Sequence, residues 1–428
     1  MEFYSLTDKR IRRNFKEATI EGQAPDGGLY FPSQLATLPA GFNWKHASKE
    51  EMAYQLVQPY VGDSLREEVL RRIVRETIDF PFPLVPVYDD LYALELFHGP
   101  TLAFKDTGAR FMSRCLGEFA ATGDRKITVL VATSGDTGGA VASGFHHVNG
   151  VEVVILYPSG KVSPVQEKQL TTLGGNIRAL EVQGNFDDCQ QMVKTAFKDP
   201  DLKKALFLTS ANSINVARWL PQQFYYAFAL QQWIHEEPPV FVVPSGNFGN
   251  ICAGIMAWKA GLPVKHFVAA CNENDVVPRY LLSGRYEPAP AVATISNAMD
   301  VGSPSNFTRI SEIFGDDISA MRAQLSGYRT TDAATKARLA ETCRQTGYIA
   351  DPHGAVAIDA FFQYKAAGHT GNAIFLETAH PIKFPEVVEE IIGQRLPIPE
   401  TVAGIMSKPK VATLLPNSYA ELKAYLLG

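Results

Sequence analysis

Two stretches decide the fold: VLVATSGDTGGAVASG (129–144) and VFVVPSGNFGNICAGIMAWKAG (240–261). Each opens on a β-branched apolar run, breaks into glycine and small polar residues, and resumes at helical spacing, which is a strand, a tight turn and a helix N-terminus. Outward from them, KITVLVA (126–132), VEVVILYP (151–158), IRALEV (177–182), VFVVP (240–244) and KHFVAA (265–270) alternate with amphipathic stretches. Strands alternating with helices predict βαβ crossovers and mostly parallel sheets flanked by helices. About 300 residues of this pattern exceed one ordinary sheet, so an α/β fold of two lobes with a cleft is expected. Ligands in such folds sit outside the carboxyl ends of the strands.

The first residues differ. KEEMAYQLVQPYVG (49–62) and SLREEVLRRIVRETI (64–78) carry apolar residues at three-to-four spacing, and DFPFPLVPVYDD (79–90) holds three prolines that break helices. A helical N-terminal cap over 1–82 is therefore expected. Residues 83–428 form the two-lobed region, its smaller lobe spanning approximately 105–235 and its larger lobe discontinuous.

The 428 residues are 46% hydrophobic and 20% charged, which excludes a disordered chain. A net charge of -5 lacks the basic excess that nucleic acid demands. Five cysteines without a CxxC pair fit a reducing compartment, and neither a signal peptide nor a membrane span is apparent, so a cytoplasmic protein is expected. His146 and His147 adjoin on an expected helix and would point apart, against metal ligation, and no metal is expected.

A glycine-rich turn at a helix N-terminus presents backbone N–H groups and the positive dipole end to an anion. Thr133, Ser134, Gly135, Asp136 and Thr137 form one such turn, and Ser245, Gly246, Asn247, Phe248, Gly249 and Asn250 another. Neither is G-x-G-x-x-G or a P-loop, which weighs against dinucleotides and nucleoside triphosphates; each alone could be an ordinary βα turn. In ELFHGPTLAFKDTGARFM (95–112), Lys105 precedes a helix expected near Asp106. A lysine desolvated there could lose its proton and form a Schiff base, although a lone lysine is more often a solvated surface residue. In LTSANSINVARWLPQQFYYAF (208–228), Asn212, Ser213, Asn215 and Arg218 gather at the start of an aromatic-rich helix and suit a phosphate, or simply cap that helix.

HGPTLAFKD (98–106), SGDTG, NSIN-x-x-R, PSGNFGN and ETAHP (377–381), in that order, resemble the threonine synthase family, and more broadly the fold-type II pyridoxal-phosphate enzymes, whose fold is like that of tryptophan synthase β. PDGGLYFP (25–32) and the helical region after it are similar to the long-N-terminus branch. The resemblance implies pyridoxal 5'-phosphate as cofactor, with Lys105 holding it covalently and Gly246, Asn247, Phe248, Gly249 and Asn250 wrapping its phosphate. It implies Thr378 as the hydroxyl partner of the pyridine nitrogen and Asp136 near the ring hydroxyl. Ser134, Gly135, Asp136 and Thr137 would receive the substrate carboxylate, and Ser213, Asn215 and Arg218 the substrate phosphate, with Lys161 a weaker candidate. The implied activity is conversion of O-phospho-L-homoserine and water to L-threonine and phosphate by a monomer or small homo-oligomer. A serine or threonine dehydratase, whose substrate has no phosphate, and an inactive ligand-binding relative are the alternatives; a nicotinamide dehydrogenase is weaker. His98 could touch substrate or serve packing alone.

Overall fold

The computed structural model describes residues 1–123 and 126–428. Among the described residues the strands are, in chain order, β1 (Glu2–Ser5), β2 (Arg12–Asn14), β3 (Tyr30–Pro32), β4 (Leu84–Tyr88), β5 (Leu91–Glu95), β6 (Ile127–Ala132), β7 (Val151–Pro158), β8 (Ile177–Gln183), β9 (Phe207–Thr209), β10 (Val240–Pro244), β11 (His266–Cys271), β12 (Leu325–Arg329), β13 (Ala373–Glu377) and β14 (Thr413–Pro416). The chain divides into two compact units. The larger holds Met1, Phe31–Phe104 and Trp219–Pro397, and the smaller holds Glu2–Tyr30, Lys105–Arg218 and Ile398–Gly428.

The larger unit is built on a sheet of order β12-β11-β10-β13-β5-β4, parallel except where β4 runs antiparallel to β5. Its central strands are covered on both faces, which is why VFVVP and HFVAAC read as continuous apolar runs. Val242, Val268, Phe375, Val356 and Phe361 belong to one core there. The smaller unit has an all-parallel sheet of order β14-β8-β7-β6-β9, with Leu130, Leu156, Leu180 and Met192 in its core. Each glycine-rich turn follows the carboxyl end of a central strand, β6 in one sheet and β10 in the other.

Residues 1–82 are not a separate helical cap. Helices Lys49–Val61 and Glu67–Thr77 fall where periodicity places them, but β1, β2 and β3 lie in the same stretch, and the segment is shared between the units. Packing gives the reason. Phe15 meets Phe111 and Phe119 of helix Lys105–Ala121 in the smaller unit, with ring centroids 6.5 and 6.3 Å apart. Phe82 packs on Phe228, at 5.2 Å, in the larger unit. The expected lobe over 105–235 is likewise corrected: the smaller unit's central segment stops at Arg218, because Tyr226 turns its ring onto Phe241 (4.9 Å) and Phe267 (6.0 Å) of the larger unit. His146 and His147 do not diverge either. The helix ends at Phe145, His147 takes φ +62°, and the two rings lie 3.7 Å apart. No helix of the described residues is long and apolar enough to cross a membrane.

Candidate functional site

Lys105 opens helix Lys105–Ala121, one residue before the expected start, and the approach to it is fixed by the larger unit. The Phe104 amide donates to the Thr378 carbonyl (2.9 Å), the His380 amide to the Leu102 carbonyl (3.0 Å), and Ala103 bridges antiparallel to Ala379. Tyr225 Oη donates to the Phe104 carbonyl (2.5 Å) and the buried Lys383 Nζ to the Thr101 carbonyl (2.9 Å). Leu102 sits at φ +59°, a conformation costly for a branched side chain and sustained here by these bonds. Thr378 is buried at the carboxyl end of β13, and burial pushes the neighbouring His380 imidazole down to about 4, so it is neutral.

Within the smaller unit Lys105 Nζ stands 4.0 Å from Asp136 Oδ2; the lysine side chain is 17% exposed and the aspartate 4%. Asp136 Oδ1 accepts from Gln166 Nε2 (3.0 Å), and Gln166 Oε1 accepts the Ser163 amide (3.1 Å) in a capping box of helix Pro164–Thr171. Gln166 was not visible as a site residue: SPVQ signals a helix start but says nothing of a contact thirty residues away. Thr133 Oγ1 accepts the Gly135 (2.9 Å) and Gly138 (2.8 Å) amides. Gly135, at φ +135° and pressed on Gln166, therefore gives the turn its shape and not an amide for an anion. With the Gly138 amide committed as well, the candidate anion donors of this turn come down to Ser134 and Thr137.

The second turn has the backbone shape of an anion-binding helix start. Phe248 is left-handed (φ +63°, ψ 13°) at the N-cap of the eleven-residue helix Gly249–Lys259, whose first amides lack intrahelical acceptors. A Cβ on Gly246 would lie 2.7 Å from Met299 Cα and 3.1 Å from the Ala298 carbonyl, so backbone fills the space where a side chain would go. Asn247 Oδ1 accepts the Ser305 amide (2.6 Å), and Asn250 Nδ2 donates to the Pro244 carbonyl (2.7 Å). Both side chains hold the turn, leaving backbone N–H groups as the chemistry it offers. Taken separately, the smaller unit offers an amine at a helix start beside a carboxylate, and the larger unit a helix start with open backbone amides; each suits a different part of pyridoxal phosphate.

The phosphate cluster read near Arg218 is only partly present. The aromatic-rich helix does not begin there: Val216–Trp219 is a four-residue helix, followed by a 3-10 turn and then helix Gln223–Gln232. Asn215 is fully buried; its Nδ2 donates to the Thr19 (2.8 Å) and Ser210 (3.1 Å) carbonyls, and its Oδ1 accepts the Ala217 amide (3.0 Å). With both amide protons committed, Asn215 is a strut for the loop and not a phosphate ligand. Arg218 is 3% exposed, gives Nη1 to the Ala211 carbonyl (2.5 Å), and packs its backbone on Gly108 of the Lys105 helix. Ser213 is half-buried on the preceding loop. Lys161 is exposed on the turn after β7, and His98 Nε2 bonds Glu95 Oε2 (2.7 Å).

A family model described as "Pyridoxal-phosphate dependent enzyme" matches residues 84–376, flanked by models for the threonine synthase N terminus (2–78) and C-terminal region (354–426). Threonine synthase of Serratia marcescens is 44% identical over 433 residues, covering 100% of this chain and 99% of that protein. The crystal structure of threonine synthase from Escherichia coli superposes with a TM-score of 0.92 at 42% identity, covering 100% of this chain and 99% of that one. A PLP-bound threonine synthase from Brucella melitensis gives 0.93 at 35% identity, with 100% and 99% covered.

Proposed function

The chain belongs to the threonine synthase family of pyridoxal-phosphate-dependent enzymes, and from that premise we propose how its residues divide the work. The reaction turns O-phospho-L-homoserine and water into L-threonine and phosphate. Bound pyridoxal phosphate supplies an electron sink for proton loss next to the substrate's amine-bearing carbon.

Lys105 would hold the cofactor through its amine, and the same amine is the group that would carry protons at the substrate's Cα and Cβ. Asp136, oriented by Gln166, keeps a negative charge within 4.0 Å of that amine. The amides of Gly246 to Asn250 would hold the cofactor phosphate, and the Thr378 hydroxyl would partner its pyridine nitrogen, where a neutral group would not force protonation. Ser134 and Thr137 receive the substrate carboxylate. Arg218 and Ser213 read the substrate phosphate, the group that separates this reaction from that of a dehydratase. The five cysteines are all unpaired, which supports a cytoplasmic location.

The observation that carries the reading is the Lys105 amine beside the Asp136 carboxylate at the head of a helix, in a chain that threonine synthase N- and C-terminal models bracket. Purified protein loaded with pyridoxal phosphate should release phosphate and threonine in equal amounts from O-phospho-L-homoserine. Release of ammonia and an oxo acid from serine or threonine, with the phosphorylated substrate untouched, would replace this reading by the dehydratase.

A further inference from the structure

Behind the Ser245–Asn250 turn lies a buried pair that none of the roles above uses. His353 is 2% exposed and Asp351 fully buried, with Nδ1 and Oδ2 2.5 Å apart. Asp351 Oδ1 accepts the Gly354 amide (2.7 Å) and caps helix Pro352–Ala366, so the carboxylate has no freedom to turn. On the other edge of the ring, His353 Nε2 lies 3.3 Å from the Ala298 amide nitrogen. A backbone amide can only donate, so Nε2 must carry the lone pair and Nδ1 the proton, which it gives to Asp351. The ring is thus locked in one tautomer with one task at each nitrogen.

The task at Nε2 matters because of what Ala298 adjoins. The Ala298 carbonyl and Met299 Cα are the atoms against which Gly246 is pressed. The rest of that loop is tied down separately: Asn272 Nδ2 donates to Thr294 Oγ1 (2.8 Å) and Asp300 Oδ1 (2.8 Å), and Asn274 Nδ2 to the Val292 carbonyl (2.9 Å). Those bonds lie on either side of the 297–299 turn, and His353 accepts an amide from the turn itself.

We propose that His353, oriented by Asp351, is a positioning residue for the phosphate cradle: by accepting the Ala298 amide it holds the 298–299 backbone against Gly246 and so sets the shape in which the turn's amides meet the cofactor phosphate. The proposal rests on the reading of that turn as the phosphate site.

The test is the dissociation constant of pyridoxal phosphate for the apoenzyme, measured by fluorescence quenching, with the 31P resonance of the bound phosphate as a second readout. His353→Leu removes the acceptor and should weaken binding roughly three- to tenfold, the worth of one buried hydrogen bond. His353→Gln, whose side-chain oxygen reaches the place of Nε2, should restore most of the affinity and the wild-type 31P shift, whereas the shorter His353→Asn should do neither. Gly249→Val, which alters the cradle directly, separates the two levels. If Gly249→Val weakens binding while Leu, Gln and Asn at 353 all match wild type, the strut is overturned and the cradle stands. If Gly249→Val is also without effect, the phosphate reading itself falls. Should His353→Leu fail to fold, the Gln and Asn variants decide, and equal dissociation constants and shifts for those two overturn the proposal.

Discussion

Lys105 Nζ and Asp136 Oδ2 stand 4.0 Å apart, the amine at the first residue of one helix and the carboxylate at the first residue of another. Both places follow from backbone: the Phe104 amide bonded to Thr378 sets where the Lys105 helix begins, and the turn after β6 sets where the other does. Lys105→Ala should therefore abolish turnover and the visible absorbance of the bound cofactor while circular dichroism stays unchanged, because only an amine can form the Schiff base. Borohydride reduction of the loaded protein followed by peptide mass mapping should place the label on Lys105. A label on another lysine refutes the assignment.

Gly246→Ala should weaken cofactor binding at least tenfold. The added Cβ would meet Met299 Cα at 2.7 Å, and a backbone atom cannot rotate aside as a side-chain end could. Either the 298–299 loop or the turn must shift. Titration of the apo variant with pyridoxal phosphate checks this, and an unaltered affinity would mean that the turn tolerates displacement and is not shaped for an anion.

The long strands were legible because their composition is dictated by burial on both faces: VEVVILYP and VFVVP match β7 and β10 residue for residue. The turns after β6 and β10 were legible because glycine marks backbone that other residues resist. Short elements carried no period to read. β1 and β2 have four and three residues, so the stretch before residue 82 looked helical throughout. The prolines of DFPFPLVPVYDD suggested a boundary, yet Pro86 lies inside β4, where an edge strand tolerates the missing N–H. Within the site, Lys105 and the glycine turns belong to contiguous motifs. Gln166, His353 and the true role of Asn215 depend on partners 30, 55 and 196 residues away, a distance at which sequence pattern is silent.

Glu377 carries a pH dependence of stability. It is fully buried at the end of β13, its Oε1 accepts the Asp351 amide (2.6 Å), and Gly354 leaves the space its other oxygen occupies. Burial first, and the Asp351 carboxylate second, raise its pKa well above the usual carboxylate range. A pKa raised in the folded state means that the folded protein holds the proton more tightly than the unfolded chain. Its contribution to stability is complete below the unfolded pKa near 4.5 and is lost as pH rises toward the folded value, with a slope of up to about 1.4 kcal/mol per pH unit. Glu377→Gln, neutral at every pH, should lack this slope. Urea midpoints of both proteins from pH 5 to 9 should diverge in favour of the variant as pH rises, and a constant difference would contradict a neutral buried Glu377.

Arg218 and Asn215 should separate under mutation, although they lie three residues apart in one motif. Arg218 carries its N–H donors on a planar fork, Nη1 meets the Ala211 carbonyl, and the group is held in place by its own burial and by the Gly108 contact. A charge-assisted contact to a phosphate contributes about 1.5 to 3 kcal/mol, or roughly ten- to a hundredfold. Arg218→Ala should therefore lower kcat/KM for O-phospho-L-homoserine by at least tenfold, and Arg218→Lys should recover only part of it, since a point charge lacks the fork. The visible cofactor spectrum should persist in both. Asn215→Ala takes a buried donor from the Ser210 carbonyl and from the Thr19 carbonyl, which keeps only the longer bond from Thr209 Oγ1 (3.4 Å); this costs about 1 to 3 kcal/mol of stability, but the folded enzyme should keep its KM for the phosphorylated substrate. If Asn215→Ala raises KM as much as Arg218→Ala does, Asn215 reaches the phosphate after all. If Arg218→Ala leaves kcat/KM intact, the substrate phosphate is read elsewhere.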